Sequence, residues 1–328
     1  MSLQEIAKKL LAREKGIVAA DESEGTNGKR FEKLGIPKTQ EMRRKWRELL
    51  LTTPGIEQGL SGVILFDETI RQNTTGGIPM AKVLQDKGIV VGIKVDKGLV
   101  PLPRFPEEKV TEGLDNLAIR LSEYAGMGAQ FAKWRSAILI GNGIPTHECL
   151  EANAYLLAQY AGICQEAGMV PIIEPEVLLD GTHAVEKSRD TIIETLKTTF
   201  AALKKYRVDI SGVILKSSMA LPGKESGIKA SPEEVAKETV AAFKASVPAE
   251  LPGIVFLSGG QTSEEATNNL NAIAQLQPFP WRITFSYSRA LQDPVMKAWM
   301  GDDTNVAAAQ EIFRKRVEET ARASEGKL

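Results

Sequence analysis

Two kinds of hydrophobic pattern alternate along the chain. Short runs rich in β-branched residues occur at 16–22, 62–68, 89–96 and 131–138, and again at 169–176, 212–217, 253–259 and 281–287. Between them lie stretches whose apolar residues recur at helical spacing: 109–126, 146–167, 188–205, 231–246 and 264–274. The first kind predicts strands and the second helices. Strands separated by helices need crossover connections, and hence a parallel sheet. Eight such strands is the number that closes a barrel. The expectation is a single (β/α)8 TIM barrel over residues 1–328, with the surplus over ~250 residues forming extra N- and C-terminal helices.

Local punctuation agrees. Ser231-Pro232-Glu233-Glu234 offers an N-cap serine, proline at the first helical position and acids in the first turn. Gly168 is placed to end the helix before it. Residues 1–12 read as a short amphipathic helix, not a secretory signal. No Pro/Ser-rich linker or composition break divides the chain. A doubly wound open sheet is the runner-up, but neither G-x-G-x-x-G after the first strand nor a G-x-x-x-x-G-K-[ST] phosphate loop occurs.

Composition narrows the chemistry. Lys and Arg total 41 against 42 Asp and Glu, a formal charge of −1, which gives no support to a nucleic-acid footprint. No apolar run reaches the ~18 residues of a membrane span. The only histidines are His147 and His183, read as solvated surface groups, and the only cysteines are Cys149 and Cys164. The cysteines fall on one predicted helix, too far apart along its axis for a disulfide, so a reducing, cytoplasmic setting is expected. A metal site or histidine-centred chemistry has little material. Catalysis is expected to run on lysines and carboxylates, without metal or cofactor.

Those residues gather at strand ends, which in this fold form the active-site mouth. Asp21 and Ser23 share a face, as do Lys94 with Asp96, Lys133 with Arg135, and Glu174 with Glu176. The competing explanation is an ion-pair network that only closes the barrel, a poor stability device because burying charge is costly. Lys94, Lys133 and Lys216 are all candidate nucleophiles, and Lys216 leads because the run before it is the most apolar. A neutral amine there attacks a ketone to form a Schiff base, which requires lowering the ordinary lysine pKa of ~10.4 to ~7–8. Glu174 is the favoured acid–base, with Glu176 supporting it or pairing with Lys133 or Arg135. Trp134 lies on the opposite face and is expected to pack outward. Ser258-Gly259-Gly260 ahead of a helix offers backbone amides to a phosphate, and Ser286 and Arg289 reach the same place. Arg135, Lys94 and the Lys29-Arg30 pair suit a second anion, so a substrate with two phosphates is expected.

With these motifs laid out, residues 16–309 resemble the class I, Schiff-base-forming fructose-bisphosphate aldolases. The matching stretches are GIVAADES (16–23), GVILFDET (62–69), VVGIKVDKG (90–98) and FAKWR (131–135). VPIIEPE (170–176), GVILK (212–216), FLSGGQ (256–261) and TFSYSRALQ (284–292) follow in family order. The resemblance implies reversible cleavage of fructose 1,6-bisphosphate to dihydroxyacetone phosphate and glyceraldehyde 3-phosphate in glycolysis and gluconeogenesis. It implies Lys216 as the Schiff-base lysine, Glu174 in carbinolamine dehydration, Asp21 in C3–C4 cleavage, and Lys133 and Glu176 as charge-tuning neighbours. Ser258, Gly259, Ser286 and Arg289 would grip one phosphate, and Ser23, Lys94 and Arg30 the other end of the sugar. A metal-free homotetramer is implied.

The chain departs from the family pattern at several places. Ser288 stands where the family commonly has glycine, so strain is expected if that backbone needs positive φ. Ser217-Ser218 replaces Pro-Asn, and Glu24 brings a negative charge close to a phosphate end. The last tyrosine is Tyr287 and the sequence stops at Leu328. A step that depends on a tail tyrosine is therefore expected to proceed differently or more slowly. The competing functions are another lysine-dependent sugar-phosphate lyase of transaldolase type, or a non-catalytic phosphosugar-binding scaffold.

Overall fold

Ten strands are laid out along the computed structural model, which describes residues 1–328. They are β1 (Gly16–Ala20), β2 (Leu60–Leu65), β3 (Val90–Lys94), β4 (Gly98–Pro101), β5 (Lys109–Glu112), β6 (Phe131–Ile138), β7 (Val170–Val177), β8 (Ile214–Ser217), β9 (Gly253–Phe256) and β10 (Arg282–Tyr287). Eight of them form a closed barrel in the order β1-β10-β9-β8-β7-β6-β3-β2. Every pairing around the ring is parallel. The expected (β/α)8 barrel is the fold.

Several strands are shorter than the sequence pattern suggests: β3 keeps only Val90–Lys94 of 89–96, and β8 only Ile214–Ser217 of 212–217. β1, β2 and β9 end at Ala20, Leu65 and Phe256, and the residues that follow leave the ladder to start helices or turns. Ser23, expected to share a strand face with Asp21, is instead the N-cap of helix Glu24–Glu32; its Oγ accepts from the Thr26 amide at 3.3 Å. The predicted helix over 109–126 is also corrected. Its first part is β5, paired antiparallel with β4, and the helix starts at Leu117. Gly113 adopts φ 128°, which breaks the helical path, and Val110 and Thr111 suit a strand once Gly98–Pro101 supplies a partner. Helices Gln40–Thr52, Met80–Asp86 and Val306–Ala323 complete the outer layer.

Strand alternation sorts the side chains into two cores. Outward residues such as Val18, Val91, Trp134, Ile173, Leu215 and Phe256 join a 78-residue core beneath the helices. Trp134 lies 5.5 Å from Tyr160 between ring centroids, on helix His147–Glu166. That helix also carries Cys149 and Cys164 as buried free thiols. Inward residues Ile17, Ile64, Val90, Phe131, Ile172, Ile214 and Val255 form a separate core of 13 residues. Ile6, Ala7, Leu10 and Leu11 belong to that inner core, so the N-terminal helix Leu3–Leu10 plugs the bottom of the barrel. Gly92 makes room for this layer, since a Cβ there would stand 2.1 Å from the Phe131 ring. With the lower barrel filled by hydrocarbon, the next inward positions toward the strands' C-terminal ends are charged.

Candidate active site

Continuing the inward alternation upward places Lys133 after Phe131, Glu174 after Ile172, and Lys216 after Ile214. Asp21 stands just past the end of β1. All four are 3–6 % exposed and meet at the floor of a cavity of about 1140 Å³. Lys133 Nζ lies 2.7 Å from Asp21 Oδ2 and 3.1 Å from Glu174 Oε2. Lys216 Nζ lies 3.1 Å from the other oxygen, Glu174 Oε1. Two cations thus flank one carboxylate, and Lys133 is the like-charged neighbour of Lys216.

Electrostatics set the protonation of Asp21, Glu174 and Lys133. Burial works to raise the pKa of Asp21, but Lys133, Lys216 and Lys94 outweigh it and bring the carboxyl down to about 2. Glu174 is lowered in the same way: burial opposes the shift, while Lys133, Lys216 and Arg135 drive it. Lys133 moves upward, because Asp21, Glu174 and Asp96 overcome the desolvation that disfavours its charge. Both carboxylates are ionised and Lys133 is charged at neutral pH.

The second ring of charges is paired. Arg135 hydrogen-bonds Glu176, which settles the partner of that carboxylate. Lys94 Nζ sits 2.6 Å from Asp96 Oδ1, and the Asp96 Oδ2 atom accepts from the Arg135 amide at 3.4 Å. The β4–β5 hairpin braces this side, where Thr111 Oγ1 donates to the Arg135 carbonyl at 2.7 Å. Arg30 faces the cavity but commits its terminal nitrogens to Glu22, Gln292 and Asp293.

On the β9–β10 side the donors lack partners. Gly259 and Gly260 have φ of 57° and 97°, conformations open to glycine at little cost, and their amides donate to no protein acceptor. Gln261 props this turn by donating to the Ser258 carbonyl at 2.9 Å, and is itself held by Asn269 at 2.7 Å. Ser286 Oγ is buried with no hydrogen-bond partner. Arg289 opens helix Arg289–Trp299, lines the cavity beside Ser258 and Gly259, and pairs with no carboxylate. Lys224, a further cation that the sequence did not single out, reaches the same turn, its Nζ 3.5 Å from where a Cβ at Gly260 would stand, but it is paired with Asp180 at 3.3 Å. Across the mouth, Ser23, Thr26, Lys29, Lys33, Lys94 and Lys97 also line the cavity.

The departures are accommodated. Ser288 has φ −106°, outside the left-handed region that favours glycine, and its hydroxyl donates to Glu22 at 2.6 Å. Ser218 Oγ donates to the Val177 carbonyl at 2.8 Å, anchoring the turn after Lys216. Glu24 is exposed and lies 3.5 Å from Arg43, a guanidinium it shares with Glu68. His147 is exposed, but His183 is half-buried, and burial lowers its pKa, so the reading of both as solvated is corrected for His183.

Comparison with known proteins is consistent throughout. The family model described as "Glycolytic: Fructose-bisphosphate aldolase class-I" matches residues 2–328. The chain is 52 % identical to the probable fructose-bisphosphate aldolase class 1 of Xanthomonas campestris pv. campestris, covering 99 % of this chain and 98 % of that one. It is 49 % identical to the cytosolic fructose-bisphosphate aldolase 4 of Arabidopsis thaliana, covering 95 % of this chain and 80 % of that one. Among solved structures, the fructose-bisphosphate aldolase of Plasmodium falciparum superposes with a TM-score of 0.98 at 45 % identity, covering 99 % and 94 % of the two chains.

Proposed function

The chain belongs to the class I fructose-bisphosphate aldolase family, lyases that carry out aldol cleavage through a Schiff base, and we propose that Lys216 is the amine that forms it. The observation that carries this assignment is Glu174, a buried carboxylate whose two oxygens are shared by Lys216 and Lys133. Transfer of one proton from Lys216 to Glu174 leaves a neutral amine and a neutral acid. Lys133 remains beside them as the fixed cation. The amine attacks the substrate ketone, and the acid returns its proton to the departing hydroxyl, releasing water and leaving a protonated imine. Asp21 takes the proton of the C4 hydroxyl as the C3–C4 bond breaks, and the electron pair flows into the imine to give an enamine. Protonation and hydrolysis then free dihydroxyacetone phosphate and Lys216.

Lys133 keeps Asp21 ionised for that role, while Glu176 keeps Arg135 in place. The unpartnered donors of Ser258, Gly259, Gly260, Ser286 and Arg289 suit one phosphate. Ser23 and Lys94, with the unpaired Lys29, Lys33 and Lys97 beside them, suit the other. No helix is long and apolar enough to cross a membrane. We also propose a cytoplasmic location, one catalytic unit spanning the whole chain, and a homotetramer; sedimentation velocity tests the last.

Borohydride reduction with dihydroxyacetone phosphate is expected to trap an adduct that peptide mapping places on Lys216. Lys216→Met is expected to abolish the adduct and lower kcat/KM by at least about 10³-fold. Activity is expected to survive EDTA. Activity lost to EDTA, with no trapped adduct, would overturn the assignment.

A further inference from the structure

Beside the reacting cluster lies a second buried network that the cleavage chemistry leaves unused. β1 leaves the barrel ladder at Ala20, so no strand pairing fixes Asp21. The residues on either side of it are held by other means. Glu22, with its side chain 8 % exposed, accepts from Ser288 Oγ at 2.6 Å and from Arg30. Arg47, 2 % exposed on helix Gln40–Thr52, places Nη2 2.7 Å from Glu22 Oε2 and donates to the Glu22 carbonyl at 3.3 Å. Gln292, fully buried, donates from Nε2 to the Ala19 carbonyl at 2.7 Å and accepts from Arg30 at 3.1 Å. Ser288 and Gln292 both belong to the start of helix Arg289–Trp299, which also carries Arg289.

We propose that Glu22 is a positioning residue for bond cleavage, clamping the segment that bears Asp21 to helix Arg289–Trp299 so that the Asp21 carboxylate stays on Lys133. The inference rests on the role given to Asp21 above. Three observations converge on it. A buried carboxylate between two arginines is a poor device for stability alone. It flanks the single proposed reacting group that lies outside a strand. Its serine partner is the N-cap residue of helix Arg289–Trp299, so the contact ties Glu22 to the helix that carries Arg289. Arg30 is then part of the clamp and not a free phosphate ligand. Misplacement of a reacting group by a fraction of an ångström to 1 Å reduces turnover steeply, while leaving earlier steps intact.

The test separates the two lysine-dependent stages in the full-length protein. In Glu22→Gln, kcat for fructose 1,6-bisphosphate cleavage is expected to fall on the order of tenfold. KM should stay within about twofold, and the rate of borohydride trapping on Lys216 should match the unaltered protein. Glu22→Asp should recover part of the lost kcat. Ser288→Ala, which keeps both arginine contacts, should lower kcat about threefold with the same unchanged trapping, and it decides the matter if Glu22→Gln does not fold. An unchanged kcat, a rise in KM alone, or a parallel fall in trapping and kcat would each overturn the proposal. Absence of trapping in the unaltered protein would instead overturn the reading of Lys216.

Discussion

Around Lys133 each buried charge touches an opposite one, whereas the Ser286 hydroxyl and the Gly259 and Gly260 amides find no acceptor in the protein. Both regions line one cavity at the C-terminal ends of the same barrel's strands. The difference lies in what completes them. Charges taken out of water must be paired within the folded chain, so the Asp21–Lys133–Glu174–Lys216 cluster is finished before any substrate arrives. Neutral amides and a hydroxyl tolerate waiting for a partner, and an anion supplies it. The paired region should therefore report on stability and turnover, and the unpaired one on binding.

The largest expected break of this contrast is Lys133→Met. It leaves Asp21 and Glu174 buried with one cation fewer, and urea unfolding should show a loss of about 3–5 kcal/mol. Steady-state kinetics should show a lower kcat in parallel. A loss below 1 kcal/mol would mean that the cluster is not the stability-sensitive side. Arg289→Ala is the opposite case. Stability should change by less than about 0.5 kcal/mol, while KM rises on the order of 10- to 100-fold, as for a charge-assisted hydrogen bond worth about 1.5–3 kcal/mol.

Acid titration sharpens the contrast next. The folded pKa of Asp21, about 2, lies below its ordinary 3.8, so its contribution is fully present above pH 4. It is lost as the pH falls from about 4 toward 2, an amount of about 2 kcal/mol. In Asp21→Asn this segment of the stability–pH curve should flatten; a curve that keeps its slope would assign the acid sensitivity to other carboxylates. Ser286→Ala should give the smallest effect, a KM rise of about three- to tenfold with stability unchanged or slightly improved, because a buried hydroxyl without a partner is removed. A clear loss of stability would show that Ser286 is bonded within the folded chain.

The eight barrel strands and the chemistry at their ends were legible because period-two alternation is a local property. That Lys94 shares a face with Asp96, Lys133 with Arg135, and Glu174 with Glu176 could be read from neighbouring residues alone, whereas the closed barrel decided that these faces point inward. Residues 109–126 failed for the opposite reason. Their strand exists because Gly98–Pro101 folds back to pair with it, and nothing local announces that partner. Lys224, Arg47 and Gln292 were missed because each sits on a loop or helix far along the chain from the groups it meets. Arg47 and Gln292 left one weak signal: each is an unusual polar residue on an otherwise buried helix face.

By itself the sequence determined the kind of fold, the supply of lysines and carboxylates at one mouth, and, through its ordered motifs, the family. Those follow from spacing, composition and residue identity, which are fixed before folding. Tertiary structure alone decided that Glu174 is shared by Lys133 and Lys216, that Arg135 takes Glu176, that Arg30 joins Glu22, and that Ser286 stays without a partner. Each of these outcomes turns on separations of about 3 Å between groups from different strands and helices. Coulomb and hydrogen-bond energies change most steeply at that distance. Closing the barrel sets those separations, and no pattern along the chain carries them.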